Sequence, residues 1–269
     1  MLLPLSRAIV PDLDWRKSCA STNTELVSRA SALHDLAVIA TDTQTAGRGR
    51  LDRVWSAPSG SAVAVSVLVR HDGQPGAAQS GFSQPGAAPD PRLLGWLPLI
   101  AGVAMSRAAQ SLGVTRAGLK WPNDVLVDGR KLSGILTELT TVGVVVGAGL
   151  NLSMTEGELP VPSATSLVID GVPNDDGLTD RALAAYLDEL LPLVALWRLT
   201  TETETLRELV LPHLQTIGRA VRVERPGLPV LLGTAVQLDD DGRLLVRSSA
   251  HGSELVAVAA GDVTHLRYE

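Results

Sequence analysis

The stretch GLKWPNDVLVDGRKLSGILTEL, residues 118–139, carries a strong hairpin signal. Two β-type runs flank Asp128–Gly129, a dipeptide typical of tight turns between antiparallel strands. Apolar runs lie on both sides of the polar residues, so Lys120, Asp124 and Lys131 are predicted to lie at the surface of a sheet. The stretch therefore predicts a β-hairpin with polar side chains beside its turn.

The segments around this hairpin predict an α+β fold. Strand patterns occupy residues 36–44, 61–70 and 142–153, and helical patterns occupy residues 21–33, 93–113, 178–198 and 202–214. Thr22 is the predicted helix cap, and Glu25 completes a capping box. Because this order is not a regular βαβ alternation, we expect a mixed, mostly antiparallel sheet with helices on one face.

The predicted secondary structure changes near residue 215 from helical patterns to short strands, which predicts two domains. Residues 1–214 form the larger one, and residues 215–269 read as short strands separated by turns, which suits a small β-barrel. Within the larger domain, residues 71–92 are rich in Gly, Pro, Ala and Gln. That composition buries little, and it predicts a flexible insertion.

The composition excludes several classes of protein. The chain has 269 residues, 45% of them hydrophobic, and a formal net charge of -6, which argues against bulk nucleic-acid binding. It has no signal-peptide pattern, and its longest apolar run is too short for a membrane helix. The single cysteine, Cys19, and five scattered histidines form no zinc-ligand spacing. These features predict a soluble cytoplasmic protein.

Two glycine motifs resemble nucleotide-binding fingerprints and fail on inspection. GAGLNL, residues 147–152, has Leu152 where a dinucleotide fingerprint needs its third glycine, and GRGRLD has Asp52 there. No GxxxxGK[ST] sequence occurs, so a P-loop is excluded as well.

The stretch TQTAGRGRLDRVW, residues 43–55, suits an anion. Gly47 and Gly49 allow close approach of the backbone, and the arginines between and after them offer planar forks of donors for a carboxylate or phosphate. A solvated Gly–Arg turn is an equally good interpretation of this stretch alone. For the hairpin lysines, solvated side chains are the better interpretation of any one of them.

Taken together, four blocks resemble biotin–protein ligases: STN (21–23), TQTAGRGRLDRVW (43–55), KWPNDVLVDGRKLSGILTEL (120–139) and GAGLN (147–151). The blocks occur in the family's order. The resemblance implies a class II aminoacyl-tRNA synthetase/biotin ligase-like catalytic domain followed by an SH3-like β-barrel. Because the sequence begins close to the first block, it also implies a monofunctional ligase without an N-terminal DNA-binding domain.

The resemblance further implies the activity, the substrates and the partners. Such enzymes make biotinyl-5′-AMP from biotin and ATP with Mg²⁺, and they transfer biotin to a lysine of a biotin carboxyl carrier protein. No nucleic acid and no membrane is implied as a partner. Members can pair as homodimers through exposed strands but need not, so the oligomeric state stays open.

The resemblance also implies site residues, and it leaves any metal ligand unassigned. The catalytic residues implied are Lys131, Arg48 and Asp124. The biotin-binding residues implied are Ser21, Thr22, Asn23, Gln44, Gly47, Arg48, Lys131 and Gly134. The ATP-binding residues implied are Arg50, Arg53, Trp55, Lys120, Asn123 and Asn151.

One departure and three alternatives accompany this hypothesis. Asp52 replaces a glycine that is usual in the arginine stretch, and a carboxylate there is expected to alter loop closure. A lipoate or octanoate ligase or transferase of the same fold is the nearest alternative. A non-catalytic biotin sensor is a second. A nucleic-acid module in residues 217–269 is a weak third, with Tyr268 as its one aromatic residue.

Overall fold

The computed structural model describes residues 1–51, 53–71, 91–225, 227–250, 254–259 and 262–265. The helices are α1 (Pro4–Ile9), α2 (Thr22–Arg29), α3 (Pro91–Leu94), α4 (Leu97–Ser111), α5 (Leu178–Leu199) and α6 (Thr203–Val210). The strands are β1 (Asp14–Arg16), β2 (Val38–Thr41), β3 (Gly47–Arg48), β4 (Val54–Trp55), β5 (Ala62–Arg70), β6 (Ala117–Lys120), β7 (Asp124–Val127), β8 (Arg130–Leu139), β9 (Gly143–Asn151), β10 (Ala220–Glu224), β11 (Leu231–Leu238), β12 (Leu244–Ser248), β13 (Leu255–Val258) and β14 (Asp262–His265). Of the helices in these ranges, none has the length and hydropathy needed to cross a bilayer.

A seven-stranded sheet forms the centre of the larger domain. Its strand order is β1-β2-β5-β9-β8-β7-β6, and β1 with β2 is its parallel pair while the other neighbours run antiparallel. The predicted hairpin is confirmed as β7 and β8, with Asp128 and Gly129 at positive φ of 49° and 80°. The mixed, mostly antiparallel sheet of the α+β prediction is confirmed.

The two faces of this sheet are covered differently. The long helices α4 and α5 pack on one face, in a core with alternate strand residues such as Val65 and Val146. Helix α2 packs on the opposite face against Ile39, Leu68 and Val145. The expectation of helices on one face is therefore wrong. Because α2 has only eight residues, it leaves much of its face uncovered.

A second, antiparallel sheet has the order β13-β12-β11-β10-β14. In the described residues no ladder joins β13 to β14, so the structure shows a small antiparallel β domain without a closed barrel. Its β11–β12 turn binds the larger domain, because the indoles of Trp96 and Trp121 donate to Asp240 O and Gly242 O at 2.9 and 3.1 Å. The domain division at residues 214 and 215 stays a prediction.

Some features of the sequence analysis lie outside the described residues. They are Asp52, Tyr268 and most of the expected insertion at 71–92, of which residues 72–90 are not described. The predictions made for them stay predictions.

Candidate active site

Two adjoining cavities lie on the sheet face that α2 leaves uncovered. The larger has a volume of about 330 Å³, and we call it the cationic cavity because five basic side chains line it: Arg48, Arg50, Arg53, Lys120 and Lys131. The smaller has a volume of about 30 Å³, and we call it the neutral cavity because its lining includes small and uncharged polar residues: Ser21, Thr22, Asn23, Gln44, Ala64, Gly134, Leu136, Gly147 and Gly149. Four residues border both cavities: Arg48, Trp55, Gly134 and Leu136. The two cavities therefore form one continuous site.

The floor of the neutral cavity depends on two glycines of β9. A Cβ at Gly147 would collide with the carboxamide of Asn23, and a Cβ at Gly149 would lie 2.7 Å from the indole of Trp55. Each glycine thus lets a side chain from another element lie directly on the sheet. The sequence block GAGLN therefore forms a flat strand surface at the floor of the cavity and is not a dinucleotide-binding fingerprint.

The first turn of α2 forms one wall of the neutral cavity. Ser21 occupies the N-cap position and makes no side-chain cap bond, so the prediction of Thr22 as cap is wrong. Thr22 instead donates its backbone N–H to Gln44 Oε1 at 2.8 Å. The Ser66 hydroxyl lies 2.8 Å from Thr22 Oγ1 and 2.6 Å from Asn23 Oδ1. This buried network orients uncharged donors and acceptors, which suits a polar, uncharged ligand group.

The arginine stretch folds into the short hairpin of β3 and β4 above the site. Its position is held by two side chains, since Arg48 Nη1 donates to Glu138 Oε1 at 2.8 Å and Arg50 Nη1 donates to Asn123 Oδ1 at 3.0 Å. Trp55, at the end of the hairpin, lies over the floor of the neutral cavity. The β3–β4 hairpin is therefore a cover, and the side chains of Arg48 and Arg50 tie it to Glu138 and Asn123 of the sheet.

The lysines reach the cationic cavity through the geometry of β6, β7 and β8. Lys120 pairs with Asp124 across the β6–β7 turn, and Lys131 Nζ lies 2.7 Å from Asp124 Oδ1. The β7–β8 ladder shifts register at Leu132, and this bulge puts Lys131 on the same face as Gly134 although three positions separate them. Of three lysines in the chain, two therefore line one cavity.

The electrostatics of the cationic cavity favour an anion. Burial lowers the pKa of Lys120, the charges of Lys131 and Arg53 lower it further, and Asp124 opposes them. Burial also lowers the pKa of Arg50, with Arg53 adding to the effect and Asp124 again opposing it. Positive charge is held here in a partly desolvated space, so a bound anion relieves an existing penalty.

Two of the predicted site residues line neither cavity. Gly47 packs behind the hairpin, where an added Cβ would lie 2.8 Å from Gln44 Nε2 and would collide with the carbonyl of Trp55. Asn151 Nδ2 donates to Thr165 O at 2.8 Å, so its side-chain amide is hydrogen-bonded to the backbone. Their assigned roles toward biotin and ATP stay predictions.

Two residues of this site were missed from the sequence. Ser66 is the one polar residue in the apolar run Ala62–Val69, and a lone hydroxyl in a buried strand is a signal of a polar partner. Glu138 lies two residues beyond Leu136 and hence on the same face of β8. That alternation could have found it once Gly134 was placed at the site.

Comparison with protein families gives matches to both parts of the chain. Residues 15–154 match the Biotin/lipoate A/B protein ligase family, and residues 216–266 match the Biotin protein ligase C terminal domain.

Named relatives and solved structures match nearly the whole chain. It is 38% identical over 260 residues to a biotin–[acetyl-CoA-carboxylase] ligase of Mycobacterium tuberculosis, covering 95% of this chain and 89% of that protein. It is 32% identical over 250 residues to the ligase of the same name from Paracoccus denitrificans, covering 89% and 95%. Its fold matches a biotin protein ligase from Aquifex aeolicus, solved in complex with biotin and ATP, with a TM-score of 0.72, 24% identity and coverage of 96% and 99%.

Proposed function

This chain belongs to the biotin/lipoate A/B protein ligase family, and we propose that it is an ATP-dependent biotin protein ligase. It activates biotin as biotinyl-5′-AMP and then transfers the biotinyl group to a lysine of an acceptor protein. The observation that carries this proposal is the junction of the two cavities, where a neutral polar cavity opens into one lined by five basic side chains.

The first step joins two anions. A carboxylate oxygen of biotin attacks the α-phosphorus of ATP, the bond from that phosphorus to the bridging oxygen breaks, and pyrophosphate leaves. Since the reactants repel each other, the site must neutralise both and align them. Arg48 borders both cavities, and Lys131 lines the cationic cavity with its Nζ 3.0 Å from the position that a Cβ of Gly134, at the junction, would take; this placement suits the carboxylate and α-phosphate. The remaining basic residues suit the phosphates: Arg50, Arg53 and Lys120.

Binding of biotin requires the hairpin cover to move. The neutral cavity, at about 30 Å³, has room for little more than water. The indole of Trp55 lies over Gly149 on the floor of this cavity. Trp55 belongs to the two-stranded β3–β4 hairpin, which is not hydrogen-bonded into the large sheet. We therefore infer that ligand entry displaces the indole, which then packs against adenine. The ureido ring takes the polar wall formed by Ser21, Thr22, Asn23 and Gln44.

Mg²⁺ fits this site as a companion of ATP. Mg²⁺ is commonly held by one or two carboxylates together with substrate phosphates. Asp124 is a carboxylate in the lining of the cationic cavity, whereas the described residues contain no cluster of three metal-ligating side chains. Bound Mg²⁺ would supply further neutralisation of the phosphates, with Asp124 as its contact on this chain.

The second step transfers the biotinyl group. The acceptor amine attacks the anhydride carbonyl, the bond to the phosphate oxygen breaks, and AMP leaves. A free lysine has a pKa of about 10.4, so it must first lose a proton. Asp124 is the residue we assign to orient or deprotonate it, since this carboxylate borders the place where the anhydride would lie.

We infer that the acceptor is a biotin carboxyl carrier protein of an acyl-CoA carboxylase, because the Mycobacterium tuberculosis relative is named for acetyl-CoA carboxylase. A homodimer stays a prediction that sedimentation tests, and a cytoplasmic location stays one that cell fractionation tests.

The transfer experiment combines the chain with ATP, Mg²⁺, a carrier domain and either biotin or lipoate. Intact mass spectrometry should show one added biotinyl group on one carrier lysine, and a carrier with that lysine replaced by arginine should stay unmodified. Modification with lipoate and none with biotin would contradict the proposal.

A further inference from the structure

Glu138 connects two walls of the neutral cavity that belong to separate elements. It lies on β8 in the alternate row of Gly134 and Leu136, and its side chain is 21% exposed. Its Oε1 accepts from Arg48 of the hairpin cover at 2.8 Å. Its Oε2 accepts from Asn23 of α2 at 2.9 Å. One carboxylate therefore joins both sides of the site.

The contact with Asn23 fixes which way that carboxamide points. Asn23 Nδ2 donates to Leu136 O at 3.1 Å as well as to Glu138, which uses both of its hydrogens. Asn23 Oδ1 lies 2.6 Å from the hydroxyl of Ser66. Only Oδ1 has capacity left for a ligand, so Asn23 is held as an acceptor for an N–H donor.

The Glu138 carboxylate neutralises the positive charge of Arg48, which borders a cavity lined by four other basic side chains. Arg48 borders the cationic cavity together with Arg50, Arg53, Lys120 and Lys131. Its side chain is half exposed, and its ion pair with Glu138 holds it at the edge of the neutral cavity. A ligand carboxylate that binds Arg48 competes with the Glu138 carboxylate for the charge of this guanidinium.

We propose that Glu138 is a positioning residue that serves as the counter-ion of Arg48 until the substrate carboxylate displaces it. This inference rests on the proposed function. It assigns two effects to one residue: Glu138 orients Asn23 toward the ring of biotin, and it competes with the far end of biotin for Arg48. Occupancy of the neutral cavity is thereby linked to the position of the hairpin cover.

Glu138→Gln separates these effects. The glutamine oxygen still accepts from Asn23, whereas the amide carries no charge to hold Arg48. Biotin should bind about two- to five-fold more tightly, the range expected for losing a competing, partly exposed ion pair. Biotinol, which has an alcohol in place of the carboxylate, should bind as it does to the wild-type chain. In an Arg48→Met background, Glu138→Gln should change neither affinity.

Isothermal titration of both ligands measures these affinities. Glu189→Gln is the matched control, because Glu189 pairs with Arg107 at 3.6 Å between α5 and α4, on the other face of the sheet. Equal weakening of biotin and biotinol in Glu138→Gln, or no change in either, would overturn the inference. Failure of the wild-type chain to bind biotin would instead overturn the proposed function.

A biotin-bound crystal structure of the wild-type chain is a second measurement that does not depend on the variant folding. It should show the guanidinium of Arg48 on the biotin carboxylate and away from Glu138. An Arg48–Glu138 pair that persists beside bound biotin would overturn the inference.

Discussion

Lys131→Met should slow the chemistry by about 10²–10³ and spare the fold. The substitution removes an ammonium that lies 2.7 Å from Asp124, in a pair whose side chains are 41% and 22% exposed. A pair this exposed contributes at most about 1 kcal/mol to the free energy of unfolding. Lys120 still lies across the ladder from Asp124, so that carboxylate keeps a cationic neighbour. The melting temperature should fall by no more than about 2–4 °C.

The catalytic effect should be much larger. In the proposed first step, Lys131 stabilises charge on the carboxylate and α-phosphate, and removal of one preorganised donor of this kind costs about 10²–10³ in rate, or about 3–4 kcal/mol. Single-turnover formation of biotinyl-AMP measures this directly, and thermal unfolding measures stability on the same sample.

The chain offers a matched control for this variant. Lys17 is exposed and is the one lysine outside the cationic cavity, so Lys17→Met should retain both rate and melting temperature. A rate within three-fold of the wild type in Lys131→Met would refute the catalytic role of this residue. A fall in melting temperature above about 8 °C would show that its role is structural.

Three further predictions concern the floor, the cover and the charge of the site. Gly149→Val should weaken biotin binding by at least about tenfold, because its side chain would occupy the floor beneath Trp55, while Gly157→Val in open space should not; titration calorimetry compares the two. Arg48→Ala should release free biotinyl-AMP when no acceptor is present, which chromatography detects, and release equal to the wild type would contradict its role in closure. Lys120→Met should raise the melting temperature of the ligand-free chain and weaken ATP binding, because burial lowers the pKa of Lys120 and folding therefore penalises its protonated form. The unfolded state binds more protons between that lowered pKa and about 10.4, so the stability gain should shrink as pH rises through this window, and a gain that grows instead would contradict the argument.

The hairpin and the strands around it were predictable because their signals are local. Asp128–Gly129 marks a two-residue turn between β-type runs, and the structure places both residues at positive φ. The residues that line the cationic cavity were also predictable, but only because they belong to the sequence blocks that resemble the ligase family. The blocks lie at the start of α2, in the β3–β4 hairpin, along β7 and β8 and within β9, and resemblance supplied the expectation that they meet.

What could not be predicted depends on contacts between distant segments. The bulge at Leu132 turns Lys131 toward the cavity, and simple alternation along β8 would place it on the opposite face from Gly134. The position of α2 on the second sheet face follows from which side of β2 and β5 its apolar residues match. The two hydrogen-bond partners of Glu138, Arg48 and Asn23, lie 90 and 115 positions away in the sequence. Local sequence patterns do not predict contacts over such separations.

The central claim is that this chain activates biotin with ATP. Exchange of labelled pyrophosphate into ATP tests it most directly, because exchange requires reversible formation of biotinyl-AMP and needs no acceptor protein. The account predicts exchange that depends on biotin, that lipoate does not support and that Lys131→Met slows by about 10²–10³. Exchange that proceeds equally without biotin, or no exchange from folded chain with biotin and ATP present, would contradict it.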